Sequence, residues 1–255
     1  MEISQVQYER IADCFPVHRG DVAYDNLRVL NAILYVMENG CKWRRLPERF
    51  GKWHTIYMRM SRWYKSGVLD RVFERLQHER LLRMRLEAVC LDSTCVKVHP
   101  DGTGALKKGG PQSIGKSRGG WTTKIHLVAA GPDCPLIFHL SPGNAHDGPE
   151  GRRLIEMLRE LLPPGCKLLM DKAYCGAATR RLAEECGLEP VVPPKSNAKN
   201  PWRYDAELYK RRNEVERLFC RVKRFRRIAT RYDKLDVIFL GFLLFAFVVD
   251  FLLLC

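Results

Sequence analysis

The sequence predicts an α/β protein with a mixed sheet and flanking helices, preceded by a small all-helical N-terminal module. Two observations support this fold class. Between residues 22 and 78 apolar side chains recur at helical spacing, whereas short runs rich in Val, Leu and Cys begin only after residue 85. These later runs alternate with helical patterns, which is the order typical of an α/β sheet. We therefore expect a helical module at 1–82 and an α/β domain at 83–255.

Three short helices are expected within the module. Apolar residues repeat at helical spacing from Leu27 to Met37, and Gly40 follows as a typical helix stop. A second pattern runs from Ile56 to Tyr64, and a third begins after Gly67. Short helices joined by tight connections indicate a helix-turn-helix-like module.

The chain is strongly basic, with 43 Lys and Arg against 29 Asp and Glu and a formal net charge of +14. This excess favours a polyanionic partner, nucleic acid first and an anionic membrane surface second. The second helix of the module carries Arg59, Arg62 and Lys65, which we expect to contact DNA. The alternative is a plain helical bundle with exposed basic residues.

In the α/β part, two acidic residues are expected at strand ends. The strands are predicted at 86–98, 122–130, 135–140, 166–170 and 188–192, and the helices at 154–162, 177–185 and 206–227. Residues 99–120 are expected to form an exposed loop. Asp92 and Asp171 each follow an apolar run, and strand ends are where α/β folds place ligands.

One predicted helix carries an unusual stripe. Tyr209, Arg212, Glu216 and Lys223 fall within about 60° of one another at ~100° per helical residue. A solvated face with ion pairs is the ordinary explanation of such a stripe. If Glu216 joins the two aspartates, three carboxylates converge, and oxygen ligands of this kind suit Mg²⁺. Asp92 and Asp171 taken singly could also be turn caps.

The C-terminal run from Val237 to Cys255 is almost entirely apolar, broken by Asp250. A buried helix is favoured over a membrane span, since no second apolar segment exists. The ten cysteines form no C-x-x-C pair, which argues against a zinc ribbon. The N-terminus lacks an apolar stretch, so we expect a cytoplasmic protein.

Several motifs together resemble those of a known family. They are L-D-S-T at 91–94, M-D-K-A-Y at 170–174, G-N-A-H-D at 143–147, and Tyr209-x2-Arg212-x3-Glu216-x6-Lys223; G-C-K-W-R-R-L-P at 40–47 and the segment 53–63 add to them. This combination resembles the DDE transposases of bacterial insertion sequences, in the insertion-sequence-five group with its Y-R-E-K signature. The similarity covers nearly the whole chain.

The resemblance implies a ribonuclease-H-like catalytic domain. In that family Asp92, Asp171 and Glu216 would hold Mg²⁺, with Mn²⁺ as a substitute, while Tyr209, Arg212 and Lys223 would hold transposon-end DNA. His146 and Asp147 would support the site.

The resemblance also implies an activity and an assembly. The protein would cleave the 3′ strand at the inverted ends of its own element and join it to target DNA. It would act as a homodimer on paired ends, within the bacterial cytoplasm near the nucleoid. The rival functions are a standalone nuclease and a host-adopted DNA-binding protein without activity.

Overall fold

A computed structural model describes residues 1–17, 23–104 and 110–253. Residues 105–109 of the expected loop, and the last two residues of the apolar C-terminal run, lie outside this description. The chain divides into two compact units, the first made of 1–79, 97–112 and 221–255 and the second of 80–96 and 113–220. These units differ from the predicted division at residue 82, because the C-terminal stretch belongs with the N-terminal helices.

The first unit is helical, as the spacing of apolar residues predicts. Its helices are α1 (Gln5–Glu9), α2 (Asn26–Asn39), α3 (Trp53–Lys65), α4 (Val68–Leu81), and, after the second unit, α9 (Arg226–Ala229) and α10 (Asp236–Leu253). The Asp25 side chain caps α2 by accepting the backbone N–H of Arg28 at 2.7 Å. Gly40 ends α2 in the left-handed conformation at φ 67°, which glycine adopts without a Cβ clash.

Helix α10 is buried almost all round within the first unit. Its main neighbours are α3 and α9, and the Phe242 ring stacks on Trp43 with 5.6 Å between ring centres. Asp236 near its start pairs with Arg231 at 2.8 Å, and Asp250 near its end pairs with Arg221 at 2.7 Å. Both charges of α10 are therefore compensated.

The burial of α10 was expected, but its location was not. We expected it to pack on the sheet of the α/β part, and this was wrong, because its aromatic side chains fill the core of the N-terminal helices. By length and composition α10 could also cross a membrane, and 78% of it is buried in this fold.

The second unit contains a mixed sheet, so the predicted α/β class is confirmed. Its strands are β1 (Ala88–Val98), β2 (Gly115–Ser117), β3 (Gly120–Gly131), β4 (Cys134–Pro142), β5 (Lys167–Met170) and β6 (Glu189–Val191). The order is β2–β3–β1–β5–β6, with β4 also paired to β3. β3 and β4 are antiparallel, whereas β5 runs parallel to both β1 and β6. The last residues of β1 lie in the first unit, where they pair with β7 (Thr230–Arg231).

Helices cover both faces of this sheet. On one face α5 (Asp147–Leu158) and α6 (Ala177–Glu185) bury a core that includes Val89, Leu91 and Leu154. On the other face the Cys90 thiol lies 3.5 Å from the Arg211 carbonyl oxygen. Successive side chains of a strand point to opposite faces, so neighbouring β1 residues serve different layers.

We expect a charge placed on the buried side of α10 to prevent folding. The Phe245 side chain is 1% exposed, so Phe245→Asp would bury an unpaired carboxylate at a cost of several kcal/mol. Expression of this variant should yield insoluble or unfolded protein. The matched control is Leu253→Asp on the same helix, since Leu253 is 39% exposed. Soluble Phe245→Asp protein with the wild-type melting temperature, or wild-type protein that resists salt and alkaline washing from membranes, would contradict this burial.

Candidate active site

The register of the central strands places two aspartates side by side. β1 and β5 pair in parallel up to Leu91 and Met170, and the next residues along the two strands are Asp92 and Asp171. Asp171 directly follows β5, as predicted. Asp92 does not end its strand, because β1 continues to Val98, and its last two residues pair with β7.

The Asp92 carboxylate is held from two sides. Its Oδ1 accepts the backbone N–H of Ser93 at 2.7 Å, and its Oδ2 accepts a hydrogen bond from Arg212 at 2.7 Å. Burial raises the pKa of Asp92 to about 6, against the Ser93 and Arg212 contacts that lower it. The negative charges of Asp171 and Glu216 raise this pKa further, as like charges do.

The stripe carrying Glu216 lies on a broken helix. The single helix expected at 206–227 is divided into α7 (Ala206–Tyr209), a tight turn at Lys210–Arg212, and α8 (Asn213–Val222). The Arg212 guanidinium nevertheless bonds Glu216 at 2.5 Å and lies 5.9 Å from the centre of the Tyr209 ring. The structure thus brings together Tyr209, Arg212 and Glu216 with Asp92.

Asp171, Glu216 and Lys223 differ in their local surroundings. Asp171 caps the short turn of Lys172–Tyr174 by accepting the Lys172 backbone N–H. Glu216 is about half exposed, with 52% of its side chain open to solvent. Lys223 follows the last residue of α8 and is half-buried.

The carboxylates of Asp92, Asp171 and Glu216 have the chemistry to bind a divalent cation. In this structure, however, the side chain of Arg212 lies between Asp92 and Glu216. Among the described residues, no three His, Cys, Asp or Glu side chains converge closely enough to hold a metal ion as they stand. The positive guanidinium of Arg212 instead bridges Asp92 and Glu216. Three carboxylates supply the hard oxygen ligands that Mg²⁺ and Mn²⁺ prefer. A bound cation would replace Arg212 as their counter-charge.

The basic residues of α3 separate into two groups. Arg59 is 9% exposed, and its guanidinium donates to the Tyr24 carbonyl oxygen at 2.5 Å and to Asn26. It therefore supports the helical unit from within, and we remove it from the expected DNA surface. Arg62 and Lys65 are exposed and stay predicted DNA contacts.

Sequence reasoning missed part of this site. The sequence motifs indicate Asp147 only as a supporting residue, and they single out neither Ser93 nor Lys124. Ser93 donates its hydroxyl to Asp147 Oδ1 at 2.9 Å, and Lys124 bonds the same oxygen at 3.0 Å. The strand alternation around Asp92 was the available signal, because it turns Ser93 toward the opposite face.

Comparison with known families gives two matches. A family model described as "Transposase DDE domain" matches residues 83–250, and one described as "Putative transposase of IS4/5 family" matches residues 3–73. Together they span nearly the whole chain.

Two similar proteins come from bacteria. "Uncharacterized protein y4sN" of Sinorhizobium fredii is 38% identical over 87 residues, which are 34% of this chain and 66% of that protein. "Putative transposase for insertion sequence element IS6501" of Brucella ovis is 30% identical over 121 residues, which are 48% of this chain and 91% of that protein.

Two solved structures are loosely similar. "Mos1 transposase paired-end complex with left transposon end" is 13% identical with a TM-score of 0.29, covering 85% of this chain and 83% of that chain. "Crystal structure of the Mos1 mariner paired end complex with Mn" is 15% identical with a TM-score of 0.28, covering 73% and 65%. At these TM-scores the fold is better defined by this chain's own strand order.

Removing the Asp92 charge should stabilise the metal-free protein above pH 6. The folded-state pKa of about 6 lies above the ordinary 3.8, so the folded protein binds more protons between these values and loses stability as pH rises. Once Asp92 is fully ionised, the free energy of unfolding is lower by about 3 kcal/mol. In chelator, Asp92→Asn should therefore melt higher relative to wild type at pH 8 than at pH 4. If the difference in melting temperature between Asp92→Asn and wild type were the same at pH 4 and pH 8, the raised pKa of Asp92 would be contradicted.

Proposed function

This chain belongs to the transposase DDE family, and we propose that it cuts DNA at the ends of an insertion sequence and joins those ends to target DNA. Its mixed sheet is, by that membership, ribonuclease-H-like. The observation that carries the proposal is the β1–β5 register, which sets Asp92 beside Asp171, together with Arg212, which ties Glu216 to Asp92. The DDE carboxylates would be these three.

The reaction consists of two phosphoryl transfers. In the first, water attacks a phosphorus at the element end, the bond to the 3′ oxygen breaks, and a 3′ hydroxyl is released. In the second, that hydroxyl attacks a phosphorus of target DNA in line and displaces another 3′ oxygen. A divalent cation held by Asp92, Asp171 and Glu216, which we propose is Mg²⁺, would supply charge stabilisation at the reacting phosphate.

Arg212 has a double role in this proposal. Its guanidinium compensates Asp92 and Glu216 in this structure, and its planar fork is equally suited to a phosphate. Tyr209, next to it, is placed to contact a phosphate or to stack on a base. Lys223 would neutralise a further phosphate.

Other parts of the proposal concern partners and location. Double-stranded DNA is the partner that the charge of +14 favours, with Arg62 and Lys65 exposed for phosphate contacts. A homodimer is proposed because two ends must be joined in one event. The cytoplasm, near the nucleoid, is where such a substrate lies.

Loss of any one triad carboxylate should abolish cleavage and spare DNA binding. Asp92→Asn, Asp171→Asn and Glu216→Gln should each reduce cleavage of element-end DNA by about a thousandfold or more, because several kcal/mol of charge stabilisation are lost. Cleavage and strand transfer are read on labelled DNA ends with Mg²⁺.

The matched control is Glu214→Gln on the same helix, since Glu214 is largely buried and pairs with Arg211 rather than Arg212. Near-wild-type cleavage by a triad variant would remove that residue from the site. Cleavage by the wild type without any strand transfer would indicate a nuclease instead.

Binding to element-end duplexes should weaken steeply with salt, since phosphate contacts release counterions. Arg62→Ala and Lys65→Ala should each reduce the slope of log K against log salt by roughly 0.9, the value for one phosphate contact. Arg59→Ala should instead lower the melting temperature, because it removes a buried hydrogen-bonding cation. Unchanged slopes for both exposed variants would exclude this face of α3 as a DNA contact.

A further inference from the structure

Behind Asp92, on the opposite face of β1, lies a polar network that the proposed reaction does not use. Ser93 makes hydrogen bonds on both sides of the strand. Its backbone N–H donates to Asp92 Oδ1 at 2.7 Å, and its hydroxyl donates to Asp147 Oδ1 at 2.9 Å. Asp147 therefore reaches Asp92 through a single intervening residue.

Asp147 is itself held in place. It is the first residue of α5, and its carboxylate is bonded by Lys124 Nζ at 3.0 Å. The same ammonium donates to the Ala145 carbonyl oxygen at 2.8 Å, which fixes the loop that leads into α5. The Lys124 side chain is only 14% exposed, so this ion pair is well shielded from solvent.

The same helix also supports Asp171. Tyr174, at the end of the turn that Asp171 caps, is buried against α5, where a Cβ on Gly151 would lie 2.5 Å from its ring. The Tyr174 backbone N–H bonds the Asp171 carbonyl oxygen at 2.9 Å. The N-terminal half of α5 thus contacts both Ser93, which bonds Asp92, and Tyr174, which bonds Asp171.

We propose that Asp147, held by Lys124 and acting through Ser93, is a positioning residue that fixes the Asp92 carboxylate for cation binding. This inference rests on the proposed function, since Asp92 is taken there as a cation ligand. The Ser93 hydroxyl is anchored at a fixed point of α5, so the backbone N–H of Ser93 keeps its direction toward Asp92. Without that anchor, Asp92 could rotate away from the other carboxylates.

The test measures Mn²⁺ binding to the full chain by calorimetry or electron paramagnetic resonance, with no DNA present. Asp147→Asn and Ser93→Ala should each weaken binding about tenfold, which is the typical effect of losing a group that orients a metal ligand. The double variant should bind no more weakly than the single ones, because both break the same link. Ser93→Thr keeps the hydroxyl and should bind as wild type.

The structure offers a matched control on the same turn of α5. Glu150 bonds His139 at 2.8 Å, and its side chain and that of Asp147 are each 24% exposed. Glu150→Gln removes an equally buried carboxylate that has no link to Asp92, so Mn²⁺ affinity should stay within about twofold. Element-end DNA affinity and melting temperature are measured on every variant.

The outcomes separate this inference from the proposed function. Wild-type affinity in folded Asp147→Asn, or equal losses in Glu150→Gln and Asp147→Asn, would overturn the positioning role while leaving the triad intact. Binding that Asp92→Asn does not weaken would overturn both, because Asp92 would then be no cation ligand.

Discussion

The parallel pairing of β1 with β5 is the constraint on which the site depends. The paired residues of the two strands are mostly buried, and the last pair, Leu91 and Met170, directly precedes Asp92 and Asp171. A slip of one residue would turn every side chain of β1 to the other face, sending Asp92 toward α5 and Ser93 toward Arg212. The apolar side chains of Val89 and Leu91 prevent this slip, since they belong to the core beneath α5.

This placement has an electrostatic cost, and Arg212 offsets part of it. Burial raises the pKa of Asp92, and the negative charges of Asp171 and Glu216 add to this effect. The guanidinium bridges Asp92 and Glu216. Under the proposed function, the same side chain would link the charge balance of these carboxylates to phosphate binding.

The sequence predicted the fold class, the main elements of both units and the stripe of Tyr209, Arg212 and Glu216, because each depends on local periodicity. It did not predict the break at Lys210–Arg212, since a tight turn preserves the helical direction. It predicted that α10 packs on the sheet and not on the N-terminal helices, because a helix that is apolar on all sides does not indicate which surface it will cover. It missed Ser93 and Lys124 because their roles arise from the pairing of distant strands. Arg59 was misjudged because a charge pattern does not show burial.

Helix α10 completes a core to which α3 and α4 also belong, and nearly all of the second unit lies between them and α10 in the chain. During synthesis, the faces of α3 and α4 that pack on α10 are therefore made well before α10 itself. A chain that stops before α10 would leave these apolar faces open to water, and exposed apolar surface of this kind promotes aggregation.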